Sequence, residues 1–422
     1  MFAHVDVNSF YANCEKVFRP ELKASPVIVL SNNDGCVIAR SCEAKALGIK
    51  MGQPYFKLSG SYLKHYNIQV FSSNYALYGD LSQRVMDTIE SIVPDIEIYS
   101  IDEAFCDIAS FNQIMSFEAL GQKIRNEVKQ CTHLTVGVGI GQTKTLAKLA
   151  NYAAKKWPKT GGVVDLSNRE RQIKLMAITP IEEVWGIGRA ISQQLKERNI
   201  NTALDLANWS PIEAKQQFSV VLERTVRELN GESCLELESI SEPRQQIVCS
   251  RSFGVKVTEL ETLSQAISNY TARAAEKLRE DKQYCKHITV FIKTSPFTPN
   301  QVYYSHSSSE KISATSDTRK LLSVANRLLK RIWIDGKDYQ KAGVILNDFC
   351  QVETDQYDLF SDPTSLVRNE KLLNTIDRIN KTSSTKLFFA SQGIKGQWQM
   401  KQAFLSPAYT TRFKDIPIAK LI

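Results

Sequence analysis

The sequence predicts an α+β protein of several domains. Three observations carry this: the chain length, a strand, helix, strand, strand, helix order in the amino-terminal part, and a later change to an all-helical stretch followed by strands flanking long helices. At 422 residues the chain exceeds what one hydrophobic core usually holds, so roughly two to four folding units are expected.

Residues 2–8 alternate, with Ala3, Val5 and Val7 on one side and His4, Asp6 and Asn8 on the other. That period-two pattern is a half-buried strand with Asp6 on its polar face. After Pro26 the run VIVL, the turn SNNDG and the run CVIAR predict a hairpin, and then a short helix that Gly48 ends. The segment IEIYSIDEAFCDI (96–108) reads as two strands with Asp102 and Glu103 near the bend between them. Asp107 falls on the descending strand and is assigned to surface or structure. A helix around 117–130, the apolar strand LTVGVGI and a helix from Thr143 to Trp157 complete a pattern similar to a ferredoxin-like sheet.

Residues 180–231 read as helices joined by short glycine-containing turns, and 245–348 as strands (QIVCSRSFG, ITVFIKTS, KAGVIL) around two long helices. The polar stretches 236–244 and 351–370 read as linker and tether.

The balance of 53 Lys and Arg against 45 Asp and Glu, a net +8, suits a polyanionic partner. Nine scattered cysteines without a CxxC pair, and only five histidines, favour neither a disulfide framework nor a zinc site. No apolar run reaches the ~18 residues of a membrane span, and the amino terminus lacks a leader pattern, so a cytoplasmic protein is expected.

Asp6, Asp102 and Glu103, if two neighbouring strands bring them together, can bind two divalent cations, because hard ions such as Mg²⁺ take carboxylate oxygens and keep open positions for phosphate. The plain reading of any one of these acids is a solvated strand or turn residue. In Thr143–Trp157, at about 100° per residue, Lys144, Lys148 and Lys155 fall within roughly 40° of one another, with Leu146, Leu149 and Ala153 opposite. This predicts a helix that buries its leucines in the sheet and offers ammonium groups to phosphates, against the plain reading of a solvated lysine face. GVGIGQTKT is not a phosphate loop, since Thr143 rather than Gly precedes Lys144; its glycines are read as a closely packed strand end. VWGIGRAISQQLKERNI (184–200) reads as a helix-hairpin-helix, in which the backbone at Gly186, Gly188 and Arg189 can grip a DNA phosphate; a plain helical hairpin is the alternative. Phe10 and Tyr11 follow the first strand, where a ring can abut a nucleotide sugar and exclude a 2′-hydroxyl or simply serve the core.

Together DVNSFYANCE (6–15), SSNYALY (72–78), YSIDEAFCD (99–107) and GIGQTKTLAKLANYAAKKW (139–157) resemble the Y-family translesion DNA polymerases, over essentially the whole chain and closest to their UmuC branch. The resemblance implies a right-hand polymerase: a ferredoxin-like palm (1–23 and 76–165), small fingers (24–75), a helical thumb (166–235), a linker (236–244), an α/β little finger (245–350) and a carboxyl-terminal tail (351–422). It implies two Mg²⁺ on Asp6, Asp102 and Glu103 with the Val7 carbonyl, Tyr11 as sugar gate, and Lys155 on the triphosphate. The fingers depart from the family, since ARSCEAKALG places Cys42 and Lys45 where many relatives have tyrosine and arginine; Lys45 can keep the charge as a point cation.

QYDLF (356–360) is similar to the peptide by which such enzymes hold the sliding clamp, through Gln356, Leu359 and Phe360. The resemblance further implies primer-template DNA and dNTPs as substrates, a UmuD′ homodimer and the RecA filament as partners, and error-prone synthesis past lesions in the SOS response. The region KGQWQMKQAFLSPAYTTRF is expected to dock partners through exposed aromatics. The rival readings are a two-metal nuclease, which would cut DNA without nucleotides, a nucleotide cyclase, and a catalytically silent DNA-binding subunit.

Overall fold

The computed structural model describes residues 1–238, 243–298, 302–351, 363–383, 386–394, 396 and 398–418. The chain forms two compact units: Met1–Ser31, Gly35–Ser241 and Phe404–Ile422 in one, Asn32–Asp34 and Glu242–Ala403 in the other.

The first unit is built on a five-stranded sheet in the order Ile96–Ile98, Glu103–Asp107, Phe2–Val7, Val136–Gly141, Val163–Asp165. The first four strands are antiparallel in ferredoxin-like order, and the short fifth runs parallel to its neighbour. Alternation decides what each face meets. Ala3, Val5 and Val7 on one strand, and Val136, Val138 and Ile140 on another, share a core with Leu77, Leu81 and Val85 of the helix Tyr75–Glu90 and Leu120, Ile124 and Val128 of the helix Phe117–Thr132. Gly137, Gly139 and Gly141 turn to the opposite face, where the helix Lys144–Lys156 lies. A Cβ on Gly139 would collide with the backbone of Ala147 and Asn151, so the glycines are what let helix and strand approach.

This arrangement corrects the expected orientation of that helix. Its lysine, Ala147 and Asn151 side meets the sheet, with Asn151 donating to the carbonyls of His4 (2.9 Å) and Gly137 (2.7 Å). Leu146, Leu149, Ala150 and Ala153 instead join a helical layer containing Leu175, Met176, Ile181, Leu195, Leu222 and Val226. Both sides of the helix are buried, a case in which periodicity cannot tell which apolar partner lies where.

A small sheet carries the expected hairpin Val27–Leu30 and Val37–Arg40, with Gln69–Ser72 added in parallel, over a separate core of Ile28, Leu30, Val37, Ala44 and Ile49. The second unit holds a four-stranded antiparallel sheet in the order Ser305–Thr315, Gln283–Thr294, Tyr339–Gln351, Gln246–Val257, with the helices Leu260–Glu280 and Thr318–Ile332 in its core. Two of its elements were not expected. The strand Ser305–Thr315 is rich in serine and largely exposed, which removes the apolar alternation that signals a strand. The helix Pro363–Thr382 falls where a tether was expected, and it is tied down by a bidentate pair from Arg279 to Asp377 (2.7 and 2.8 Å).

No helix of the described residues is long and apolar enough to cross a membrane. The peptide bearing Gln356, Leu359 and Phe360 lies outside the described residues.

Candidate active site

The first strand places Asp6 on the polar face of the sheet, and antiparallel register sets it directly opposite Glu103. The bend Tyr99–Asp102 is fastened next to them: Val7 N–H donates to the Asp102 carbonyl (2.9 Å), and the Ser100 hydroxyl donates to Asp102 Oδ1 (2.8 Å). One cleft of about 280 Å³ is lined by Asp6, Val7, Tyr11, Asp102 and Lys155, and by Arg40 and Lys45 of the small sheet and the helix after it. The cleft thus gathers Asp6, Val7, Tyr11, Lys45, Asp102 and Lys155 of the residues singled out from sequence. Glu103 pairs with Asp6 across the strands and does not line the cleft.

Two lysines of one helix neutralise the two paired acids. Lys155 forms an ion pair with Asp6, and Lys148 Nζ lies 2.9 Å from Glu103 Oε2. The Lys148 ammonium also sits over the rings of Tyr99 (4.3 Å), Trp185 (5.0 Å) and Phe105 (5.7 Å). Burial pushes the Asp6 carboxyl up to about 7 against the pull of Lys155, with the neighbouring Glu103 adding to the rise. Burial also works against ionisation of Glu103, but its contacts with His4 and Lys148 prevail and hold it well below the usual carboxylate range. His4 itself is buried and lowered to about 4, so at neutral pH it is an uncharged neighbour 3.9 Å away. One acid of the pair therefore keeps its charge firmly and the other yields it easily.

Among the described residues no three His, Cys, Asp or Glu side chains are gathered at metal-binding distance. The carboxylates of Asp6 and Glu103 are held by ammonium groups and that of Asp102 by Ser100. The donor set, hard oxygens that already attract two cations, suits divalent ions such as Mg²⁺.

Tyr11 is half-buried on the helix Phe10–Val17 and stacks on the buried Tyr78, with ring centroids 4.4 Å apart and planes at 15°. Tyr75 meets it edge-on at 6.2 Å. Just before this helix, Ser9 adopts a left-handed conformation (φ 46°), and its hydroxyl accepts from Lys45 Nζ at 3.0 Å. Lys45 thus stands at the cleft, as Lys155 does.

The phosphate-binding expectation fails for Lys144. Its side chain is buried, with Nζ 2.5 Å from Glu97 and 2.7 Å from the carbonyl of Glu236, so it is an internal counter-ion. Lys148 is likewise engaged with Glu103 rather than offered to DNA. Gly186 adopts φ +86° and Gly188 caps the eight-residue helix Arg189–Lys196, with Gly186, Gly188 and Arg189 exposed as a backbone phosphate grip requires. Arg40 was not singled out from sequence. It lines the cleft and its guanidinium donates to the Ile49 carbonyl at 2.5 Å. Its position at the end of an alternating strand beside Lys45 was the available signal.

The expected docking aromatics are partly used within the chain itself. Tyr409 stacks on Phe18 at 4.7 Å, Phe404 meets Tyr55 at 5.6 Å, and Trp398 meets Tyr270 at 5.8 Å, whereas Phe413 is 89% exposed.

Residues 5–152 match the impB/mucB/samB family, residues 244–359 its C-terminal domain, and residues 370–419 a domain of unknown function (DUF4113). Protein SamB of Salmonella typhimurium is 53% identical over the full length of both chains, and Protein UmuC of Salmonella typhimurium strain LT2 is 54% identical over 99% of each. A DNA polymerase IV from Clostridium acetobutylicum is 28% identical over 90% of this chain and 94% of its own. Among solved structures, a Y-family DNA polymerase chimera of Dbh and Dpo4 aligns with TM-score 0.65 at 21% identity, covering 83% of this chain and 99% of the other. The insertion ternary complex of Dbh DNA polymerase aligns with TM-score 0.53 at 21% identity over 83% and 99%.

Proposed function

The chain belongs to the impB/mucB/samB family of Y-family DNA polymerases, and from that premise we propose how its own residues perform template-directed synthesis past damaged bases. It is a DNA-directed DNA polymerase of the error-prone, translesion class, acting on primer-template DNA and deoxynucleoside triphosphates.

Asp6, Asp102 and Glu103, with the Val7 carbonyl, would hold two Mg²⁺. Bound there, the ions would supply positive charge beside the primer 3′-hydroxyl and the triphosphate. Lys155 releases Asp6 and takes a triphosphate oxygen, so that its cation serves the acid before substrate arrives and the substrate afterwards. Lys45, which lines the same cleft, approaches the same phosphates. Lys148 stays on Glu103 and keeps it ionised and oriented. Tyr11, fixed by its stack on Tyr78, fills the space a 2′-hydroxyl needs. The Gly186, Gly188 and Arg189 backbone grips a phosphate of the duplex.

The domain roles follow the same reading: palm 1–23 and 76–165, fingers 24–75, thumb 166–235, linker 236–244, little finger 245–350 and a tail from 351. Gln356, Leu359 and Phe360 anchor the sliding clamp, a UmuD′ homodimer and the RecA filament are the partners, and the enzyme works in the cytoplasm during the SOS response.

The observation that supports this most is the cross-strand pair of Asp6 and Glu103, each met by a lysine of one helix, with Asp6 lining a cleft shared with Asp102 and Tyr11. Asp102→Ala with Glu103→Ala abolishes primer extension while primer-template affinity, dominated by phosphate contacts elsewhere, stays within a few-fold. Retained extension overturns the assignment. Strand cleavage by the wild type without nucleotides would instead favour the two-metal nuclease.

A further inference from the structure

The residues Phe404–Ala408 lie far along the chain from Tyr11, yet they pack into the same unit. Ser72 N–H donates to the Phe404 carbonyl and Phe404 N–H to the Ser72 hydroxyl, both at 3.0 Å. The buried Asn74 amide donates to the Ser406 carbonyl (3.1 Å), the Ser406 hydroxyl (3.0 Å) and the Pro407 carbonyl (3.2 Å). Asn74 is also the N-cap of Tyr75–Glu90, accepting from Leu77 N–H, so the segment is fastened to the start of the helix that carries Tyr75 and Tyr78.

From there a line of buried groups leads to the cleft. The Ser406 hydroxyl donates to Glu15 Oε1 at 3.1 Å, and the Tyr78 hydroxyl donates to the same oxygen at 2.6 Å. Glu15 and Tyr78 are wholly buried, and Ser406 is 7% exposed. Among the described residues Glu15 Oε2 has no hydrogen-bond partner, so the carboxyl is oriented through Oε1 by these two hydroxyls. Burial pushes this carboxyl up to about 7 against the pull of the Tyr78 and Ser406 hydroxyls. Tyr78 then offers its ring face to Tyr11, while Tyr75 touches Tyr11 edge-on.

We infer that the carboxyl-terminal segment around Ser406 is a positioning element for sugar selection, setting the place of Tyr11 through Ser406, Glu15 and Tyr78. This rests on the reading of Tyr11 as the residue that excludes ribose. Ser406 acts only through others: without its hydroxyl, Glu15 can rotate, Tyr78 loses its fixed acceptor, and the stack that holds Tyr11 against the sugar loosens.

The test is single-nucleotide insertion with matched deoxy- and ribonucleoside triphosphates by the full chain. Ser406→Ala lowers discrimination against ribose about tenfold, chiefly through a lower KM for the ribonucleotide, and Ser406→Thr, which keeps the hydroxyl, restores it. In a Tyr11→Ala background Ser406→Ala has no further effect on discrimination, because both changes act at one ring. Unchanged discrimination in Ser406→Ala, with Tyr11→Ala losing it, overturns the inference and leaves the sugar gate intact. A lowered Tm with unchanged discrimination overturns it equally, as a structural role only. Discrimination retained in Tyr11→Ala overturns both.

Discussion

Lys148 and Glu103 stand 2.9 Å apart, the ammonium enclosed by Tyr99, Phe105 and Trp185, so this acid is paired with a cation that belongs to the protein. Lys148→Met leaves a half-buried carboxylate without its counter-ion. The variant loses about 2 kcal/mol in urea unfolding. Because the ammonium keeps Glu103 ionised and oriented, half-maximal extension in the variant moves to higher Mg²⁺, read from a Mg²⁺ titration of primer extension.

Lys155 differs, since its partner Asp6 yields its charge easily. Lys155→Met raises KM for deoxynucleotides by about tenfold or more, the loss of one charge-assisted phosphate contact, with primer-template affinity unchanged. Steady-state insertion kinetics alongside a DNA-binding titration separate the two.

Lys144 decides between an internal and a DNA-facing role for the start of its helix. Lys144→Ala removes the counter-ion of the partly buried Glu97, leaving it the Glu238 N–H at 2.6 Å, and costs about 3 kcal/mol. The slope of log affinity for DNA against log salt stays at the wild-type value, whereas a phosphate contact would reduce it by about one.

Glu15 gives the protein a pH dependence whose sign follows from its raised pKa of about 7. The folded state binds a proton there more tightly than the unfolded chain, so this group favours folding at low pH. Its contribution is lost as pH rises from about 4.5 to 7 and is flat above. Glu15→Gln removes that fall, and relative to wild type the variant gains stability from pH 5 to 8, by up to roughly 3 kcal/mol. Chemical unfolding at several pH values measures it.

Gly139→Ala puts a methyl group into the backbone of Ala147 and Asn151, which cannot swing aside as a side-chain end could. It costs about 3 kcal/mol or more, and it lifts Lys148 and Lys155 away from their acids. Loss of extension with folding retained at low temperature is the expected result, followed by circular dichroism and primer extension.

The strand holding Asp6, the bend at Asp102 and Glu103, and the helix from Thr143 were legible because each carries a local signal: alternation, a polar break between apolar runs, a threonine cap. The partner of each face was not. The valines and glycines of Val136–Gly141 alternate plainly, but only the packed structure says that the glycine side receives the lysines and that the leucines go to the helical layer. Lys144 illustrates the physical limit, since a cation on a helical stripe looks the same in sequence whether it faces water or is buried against Glu97. Glu15 and Ser406 were missed because their partners are remote along the chain, where no spacing rule reaches.

The bonding of Ser406 to Asn74 and Glu15 has a consequence for synthesis of the protein. Translation delivers the catalytic strands, the lysine helix and Tyr11 long before residue 404, so a nascent chain stopped in its last tenth owns every acid of the site but lacks the brace behind its tyrosine. The polymerase thereby acquires this brace late in its synthesis, and any nonsense or frameshift product ending short of Ser406 keeps Tyr11 but lacks the hydroxyl bonded to Glu15 behind it.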